Sequence, residues 1–228
     1  MTAMMLGSAY LGGAWFFLRV ALAKRWHTIK AGFFPVIAFA SMLGVATLLH
    51  WDRFTHNHIS FYAWAGLYFT TPFLVAGAWW LNHGADPRQP DAGDALLPRR
   101  LRWVIGIVGA GSVIVALLLF VAPEAMIAAW PWTLTPLTAR TAGAMFALPG
   151  IVGLAVSVDQ RWSSARIIFE SQALSIILIL LAALRAWGEF NFTQPLAWLF
   201  LLQLAGLLTL IIVLYTVMQA RQGTGTRG

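Results

Sequence analysis

The sequence predicts an all-α protein, a polytopic bundle of about seven transmembrane helices with a parallel internal repeat. Hydrophobic residues make up 60% of the 228 residues and charged residues only 10%, whereas a soluble domain carries about 25% charged residues. The apolar residues form continuous stretches long enough to cross a bilayer, which takes about 20 residues per helix. The first stretches are repeated in the second half of the chain. Lipid is therefore the expected solvent of this fold.

Seven apolar stretches predict the helices, at 4–23, 31–50, 61–81, 102–122, 141–158, 167–186 and 197–218. They are continuous and do not alternate, which argues against an outer-membrane barrel. The fifth is the shortest and contains Pro149-Gly150. The predicted organisation is a three-helix unit, a polar linker, a connector helix with its loop, a second three-helix unit and a flexible tail, at 1–81, 82–101, 102–136, 137–218 and 219–228.

The repeat aligns residues 2–54 with residues 138–190 at a constant offset of 136. Arg25-Trp26 then meets Arg161-Trp162, and Trp51 meets Trp187. Both copies begin with a helix running in the same direction, so a symmetry axis along the membrane normal is expected. The layout is three helices, a connector and three helices. Because a helix precedes copy two, we also expect a related form with a further helix upstream, which would give four plus four.

Positive charge predicts the orientation. Eleven Lys and Arg residues fall on one side of the predicted membrane, and only Arg53, Arg140 and Arg185 lie on or near the other. The positive-inside rule places the N-terminus outside and the C-terminus in the cytoplasm, in the plasma membrane of a prokaryote. The lipid bilayer accounts for the net charge of +7, so we expect no nucleic-acid partner. The sequence is compatible with a homo-oligomer and with a subunit of a larger membrane complex.

Cysteine is absent, which excludes disulfides, thiolate metal sites and a cysteine nucleophile. The helices carry no histidine pair at facing depth, as bis-histidine haem requires. The last helix has no lysine for a retinal Schiff base. We therefore expect no cofactor.

The richest polar cluster is the predicted outer loop that follows the second helix. Imidazole and carboxylate groups are good metal ligands, so a metal or ligand site is one interpretation. The other is an interfacial loop anchored by Trp51 and Phe54. The matching stretch of copy two, 187–190, has no histidine, which favours the interfacial loop. The candidate residues of this loop are His50, Asp52, Arg53, His56 and His58.

A second candidate site lies between the two repeats. Parallel repeats form sites near the middle of the membrane, where the two copies meet. Glu170 adds a carboxylate within a helix, where it is costly unless paired. Arg166 is its expected partner, while Arg19 is expected to reach the cytoplasmic interface. The other candidates are Tyr10, Tyr68, Thr70, Thr71, Phe146 and Gln203.

The inner boundary carries a repeated pair of residues. Arg25-Trp26 and Arg161-Trp162 occupy the same position in the two copies. Arginine followed by tryptophan at a membrane boundary is typical of a headgroup anchor. Asp159 and Arg161 are expected to be solvated in a short loop.

Two stretches carry a resemblance to a known family: His50-Trp51-Asp52-Arg53-Phe54, and residues 130–140, which read WPWTLTPLTAR. They resemble an uncharacterised family of prokaryotic multi-pass membrane proteins. The resemblance implies no activity, and it implies a further helix before Thr2. The layout is also similar to that of SWEET sugar transporters and PnuC vitamin transporters, which is an analogy of architecture alone.

These observations favour a non-catalytic integral membrane protein, either an accessory or assembly subunit or a small receptor. The alternative is a transporter or channel for a small neutral or weakly charged molecule, with its site between the repeats. A membrane enzyme or metal site using the outer His/Asp loop is the third interpretation. It rests on one loop, and an enzyme needs rigidly held reacting groups.

Overall fold

Within residues 1–225, seven helices are long and apolar enough to cross a membrane, which confirms the predicted all-α bundle and an integral membrane protein. The structure is a computed structural model that describes residues 1–225, with the side chains of residues 1–222. The helices are α1 (Thr2–Leu22), α2 (Phe33–Leu49), α3 (Ile59–Asn82), α4 (Arg99–Val121), α5 (Pro123–Ile127), α6 (Pro136–Val158), α7 (Trp162–Arg185) and α8 (Pro195–Gly225).

The helices differ from the predicted ones in several places. Helices α6 and α7 begin at Pro136 and Trp162, five residues before the predicted starts at 141 and 167. The short helix α5 was not predicted, because five residues that begin with Pro123 have no helical periodicity of their own. Helix α8 continues through residues 219–225 of the tail predicted to be flexible. Gln219, Ala220 and Arg221 are good helix formers, so the helix does not end at 218. The last three residues of that tail lie outside the described part of the chain.

Successive long helices alternate in direction, so the bundle has two ends. We call the end that holds Met1 the Met1 end; it includes the loops 50–58, 122–135 and 186–194. The opposite end, which we call the linker end, includes the loops 23–32, 83–98 and 159–161. The Met1 amino group pairs with Glu189, and Trp132 donates to Thr2 Oγ1 at 2.9 Å. These contacts hold the start of copy one against the loops 122–135 and 186–194.

Helix α1 packs against α7, and α2 packs against α6. In the sequence alignment α1 corresponds to α6 and α2 corresponds to α7, so these two pairs are counterparts. Helix α3 packs on α2, as its counterpart α8 packs on α7. The α1–α7 contact is close, because Ser171 donates to the Gly12 carbonyl oxygen at 2.7 Å and a Cβ at Gly12 would overlap Ser175.

The connector α4 packs along α6 through glycine-to-glycine contacts. A Cβ added at Gly109 would lie 2.8 Å from the Gly150 carbonyl oxygen and 3.0 Å from the Gly153 Cα. Small residues allow transmembrane helices to approach closely, which is the main source of packing energy in lipid. The α4–α6 pair is therefore a tight, specific unit that flanks one side of the bundle.

The linker after α3 is held along the loop between α6 and α7. Leu97 N–H donates to Gln160 O at 2.8 Å, and Trp162 N–H donates to Ala95 O at 3.0 Å. Asp94 accepts hydrogen bonds from the backbone and the hydroxyl of Ser163 at 3.0 and 2.6 Å. The polar segment between the halves is thus bound to copy two.

Candidate functional site

A cavity of about 350 Å³ lies at mid-depth between the two halves. Its walls come from α1, α2 and α3 of the first copy and from α6, α7 and α8 of the second. The volume falls at the lower end of the range of about 300–1,000 Å³ found for small-molecule sites. The position agrees with the site expected between the repeats.

Most of the predicted residues of that site come together around this cavity. The residues concerned are Tyr10, Tyr68, Thr71, Phe146 and Gln203. Thr70 does not line it, because neighbouring residues of a helix point about 100° apart. The Thr70 side chain is exposed and its hydroxyl donates to Gly66 O at 2.7 Å.

The chemistry of the cavity wall is aromatic and apolar with a few neutral polar groups. None of the described side chains that line the cavity is charged. The hydroxyls of Tyr10 and Tyr68 hydrogen-bond to each other, joining α1 to α3. Gln172 and Gln203 add amide groups from copy two. Such a wall accepts an uncharged molecule with one or two hydrogen-bonding groups and is costly for an ion.

Several lining residues were not predicted from the sequence. Phe39 forms edge-to-face contacts with both tyrosines, at ring distances of 6.4 Å to Tyr10 and 6.1 Å to Tyr68. Gly13 and Phe17 lie three and seven residues after Tyr10, on the same face of α1. This helical spacing was the one available sequence signal for the α1 part of the wall.

Glu170 lies outside the cavity lining, in an ion-pair group on the linker side. Its carboxylate pairs with Arg19 and with Arg166 at 3.6 Å, and it accepts a hydrogen bond from Tyr215 at 3.1 Å. The predicted Arg166 pair is present. Arg19 lies in the last turn of α1, and its guanidinium binds this carboxylate across the α1–α7 contact, a partner that the sequence did not predict.

His56 and His58 of the loop 50–58 make separate local contacts. His56 stacks on Trp51 at a ring distance of 4.8 Å, and its Nε2 lies 3.0 Å from Trp51 O. His58 caps α3 by accepting the Ser60 N–H at 3.2 Å. Asp52 and Arg53 are exposed in a 3₁₀ turn. Among the described residues, no group of three or more His, Asp or Glu side chains is placed to hold a metal ion.

His50 is the loop residue that reaches copy two. Its Nε2 accepts a hydrogen bond from Arg140 at 2.7 Å. Burial, followed by the positive charges of Arg140 and Arg53, lowers the pKa of His50 below its ordinary value. The contact requires a neutral imidazole, because a guanidinium can only donate.

This contact predicts a pH dependence of stability. Since the unfolded chain protonates His50 at a higher pH than the folded chain, the stabilisation is complete above about pH 6.5 and declines as pH falls through the folded pKa. We expect the thermal unfolding temperature to fall over this window, and to fall less in His50→Gln, which keeps an acceptor for Arg140. His58→Asn is the control, since asparagine also caps helices. Equal pH profiles for His50→Gln and the wild type would contradict the prediction.

An ion-pair cluster at the linker end joins the two halves. Arg161 makes a bidentate contact with Asp86, at 2.7 and 3.0 Å, and binds Asp159 at 2.7 Å. Lys30 of copy one donates to Asp86 at 2.6 Å and lies 3.0 Å from Asp159. The side chain of Arg161 is only 4% exposed, and Trp162 is fully buried. The expectation that Asp159 and Arg161 are solvated was therefore wrong. The expectation that Arg161-Trp162 is a headgroup anchor was also wrong.

The electrostatics of this cluster follow from the paired guanidinium. Hydrogen bonds from Arg161, opposed by burial and supported by Lys30, hold the pKa of Asp86 well below its ordinary value. Burial would raise the pKa of Asp159, but hydrogen bonds from Arg161 and Lys30 outweigh it and lower the pKa. Both carboxylates are thus ionised when the cluster is intact.

The repeat-equivalent arginine, Arg25, binds the same linker at a different residue. It pairs with Asp91, which also lies 3.2 Å from the buried His27. The Arg25 side chain is 62% exposed, unlike that of Arg161. In each copy, the aligned arginine therefore forms an ion pair with one aspartate of the linker.

Comparison of the chain with protein-family models, with curated proteins and with solved structures found no match in any of the three.

Proposed function

We propose that this chain is a non-catalytic integral membrane protein that binds a small, uncharged and largely apolar molecule in the cavity between its two halves. The observation that carries the proposal is the cavity wall itself. Both halves supply it, none of the described side chains that line it is charged, and its polar groups are the neutral ones of Tyr10, Tyr68, Thr71, Ser171, Gln172, Ser175 and Gln203. A concave, mostly apolar site with a few convergent polar groups is typical of ligand binding.

In this proposal the protein acts as a small receptor or a ligand-bearing subunit, in a prokaryotic plasma membrane with the Met1 end outside. The ion pairs of Arg161 support a static role, because they hold the linker end of both halves together. The orientation rests on the excess of Lys and Arg at the linker end.

Transport of the same molecule is the second candidate function. It is favoured by the packing of helices across the two halves, in which α1 contacts α7 and α2 contacts α6. Parallel repeats with a shared central site suit alternating access. Uptake of the identified ligand into proteoliposomes would distinguish a carrier from a receptor.

The test is native mass spectrometry of protein extracted gently from its own membrane, comparing Gly13→Phe with Gly7→Phe. Both glycines lie on α1 with nothing within 4 Å of an added Cβ, but only Gly13 lines the cavity. We expect the wild type and Gly7→Phe to retain a small molecule and Gly13→Phe to lose it, because the phenyl ring fills the site.

The matched pair controls for folding, since both variants make the same change on the same helix. A bound molecule retained equally in both variants would contradict the cavity as its site. Absence of any bound molecule in all three proteins would contradict the proposed function. A stoichiometric partner chain in the same spectra would identify the complex in which the protein works.

A further inference from the structure

The cavity is closed towards both ends of the bundle by buried aromatic residues. At the Met1 end, Phe200 lines the cavity and packs on Trp132 at a ring distance of 5.2 Å. At the linker end, Phe16 lies against Gly32, where an added Cβ would overlap its ring, and packs edge-to-face on Phe33 at 6.3 Å. Buried aromatic rings thus lie between the cavity and each end of the bundle.

The side wall formed by α1 and α3 is different. Tyr10, Phe17 and Leu67 line the cavity and are 38%, 43% and 49% exposed. Lining the cavity does not by itself expose a side chain, because Phe16 and Tyr68 line it too and are 2% and 3% exposed. The exposed part of these side chains therefore faces the bilayer, and the wall is thin along α1 and α3.

Helix α4 explains why the second half is more closed. In the alignment Ala14 and Phe17 of α1 correspond to Gly150 and Gly153 of α6. The two glycines of α6 are buried under α4, whereas Ala14 and Phe17 are exposed. Within residues 1–225, the helices that pack extensively on α1 are α6 and α7 alone. The first half therefore has an open flank where the second half has a helix.

We propose that the flank between α1 and α3 is a lateral entrance, through which an uncharged, lipid-soluble molecule with a hydrogen-bonding group passes from the bilayer into the cavity. The inference rests on the proposed function and names the ligand class. The linked hydroxyls of Tyr10 and Tyr68 stand at this flank and offer the first polar contact. A volume of about 350 Å³ suits a ring or a single chain.

The low polarity of the route defines what can use it. A charged molecule would have to lose its hydration twice, in the hydrocarbon and in a wall without a counter-charge. An uncharged molecule with an apolar body dissolves in the bilayer and exchanges one apolar environment for another. Its hydrogen-bonding group would leave hydrocarbon to reach hydroxyl and amide partners, which stabilises the bound state.

The test is photolabelling of the full chain in phosphatidylcholine vesicles with two aryl diazirines. One probe is uncharged and dissolves in the bilayer; the other carries a carboxylate and stays in water. Labelled peptides are identified by mass spectrometry. We expect the uncharged probe to label Phe39 and Tyr68, which line the cavity but are 9% and 3% exposed. We expect the charged probe to leave both unlabelled.

Two variants of α1 locate the entrance. Ala14 and Ala21 are both exposed on this helix, and only Ala14 lines the cavity. We expect labelling of Phe39 and Tyr68 to be lost in Ala14→Phe and retained in Ala21→Phe. Labelling by the charged probe, or equal labelling in the two variants, would overturn the lateral entrance. No labelling by either probe would also overturn it, while ligand retention in the Gly13 experiment would leave the proposed function standing.

Discussion

Replacing Arg161 with methionine is expected to lower the free energy of unfolding by about 3–5 kcal/mol, the usual cost of removing one partner from a buried ion pair. The guanidinium is the shared partner of Asp86 and Asp159, whose side chains are only 6% and 15% exposed. Without it the two buried carboxylates keep the ion pairs with Lys30, which then has to balance both charges. Methionine keeps much of the volume, so the lost charge dominates the effect.

The matched control is Arg25→Met, the same change at the aligned position of copy one. Arg25 is 62% exposed and pairs with Asp91, and exposed pairs contribute about 0–1 kcal/mol. The measurement is thermal and denaturant unfolding in one detergent, followed by helical circular dichroism. If Arg161→Met were no less stable than Arg25→Met, the buried cluster would not join the halves as described.

Gly109→Val is expected to destabilise the protein by about 3 kcal/mol, the upper end of the usual cost of overpacking. A Cβ at this position meets the Gly150 carbonyl oxygen, the Gly153 Cα and the Leu154 nitrogen at 2.8–3.0 Å. All three atoms are backbone, so no side chain can rotate away. The two helices would have to separate and lose the close contact on which packing in lipid depends.

Gly111→Val is the control for this change, since it lies on the same helix with nothing within 4 Å of an added Cβ. Valine has a higher helix propensity than glycine, so Gly111→Val is expected to be as stable as the wild type or slightly more stable. Comparable melting temperatures for the two variants would show that α4 is not packed on α6 through Gly109.

The transmembrane helices were predictable because each is a continuous apolar stretch with polar ends, and this pattern is sufficient to identify a helix that crosses a bilayer. Helix α5 was not, because its five residues gain their conformation from the neighbouring α4 and α6. Tyr10, Tyr68 and Gln203 could be placed near the middle of the membrane by counting along their helices. Counting along a helix could not decide which of two neighbouring residues faces inward. Thr70 and Thr71 were both predicted, and only Thr71 lines the cavity.

The burial of the cluster around Arg161 could not be predicted from the residues next to it in the sequence. Asp159 and Arg161 stand in a short polar loop, which normally indicates solvated side chains. Their burial depends on Asp86, which lies 75 positions before Arg161 in the chain, and on the linker that folds over the loop. Contacts over such separations leave no trace in composition or periodicity, so the sequence alone pointed to a headgroup anchor.

We infer that the cavity between the halves holds a small uncharged molecule. The most direct measurement is an experimental density map of the wild-type protein purified from its own membrane. We expect non-protein density within the cavity, in contact with Tyr10, Tyr68 and Gln203 and reaching the flank between α1 and α3. A cavity filled by its own side chains, with the halves closed together and no such density, would contradict it.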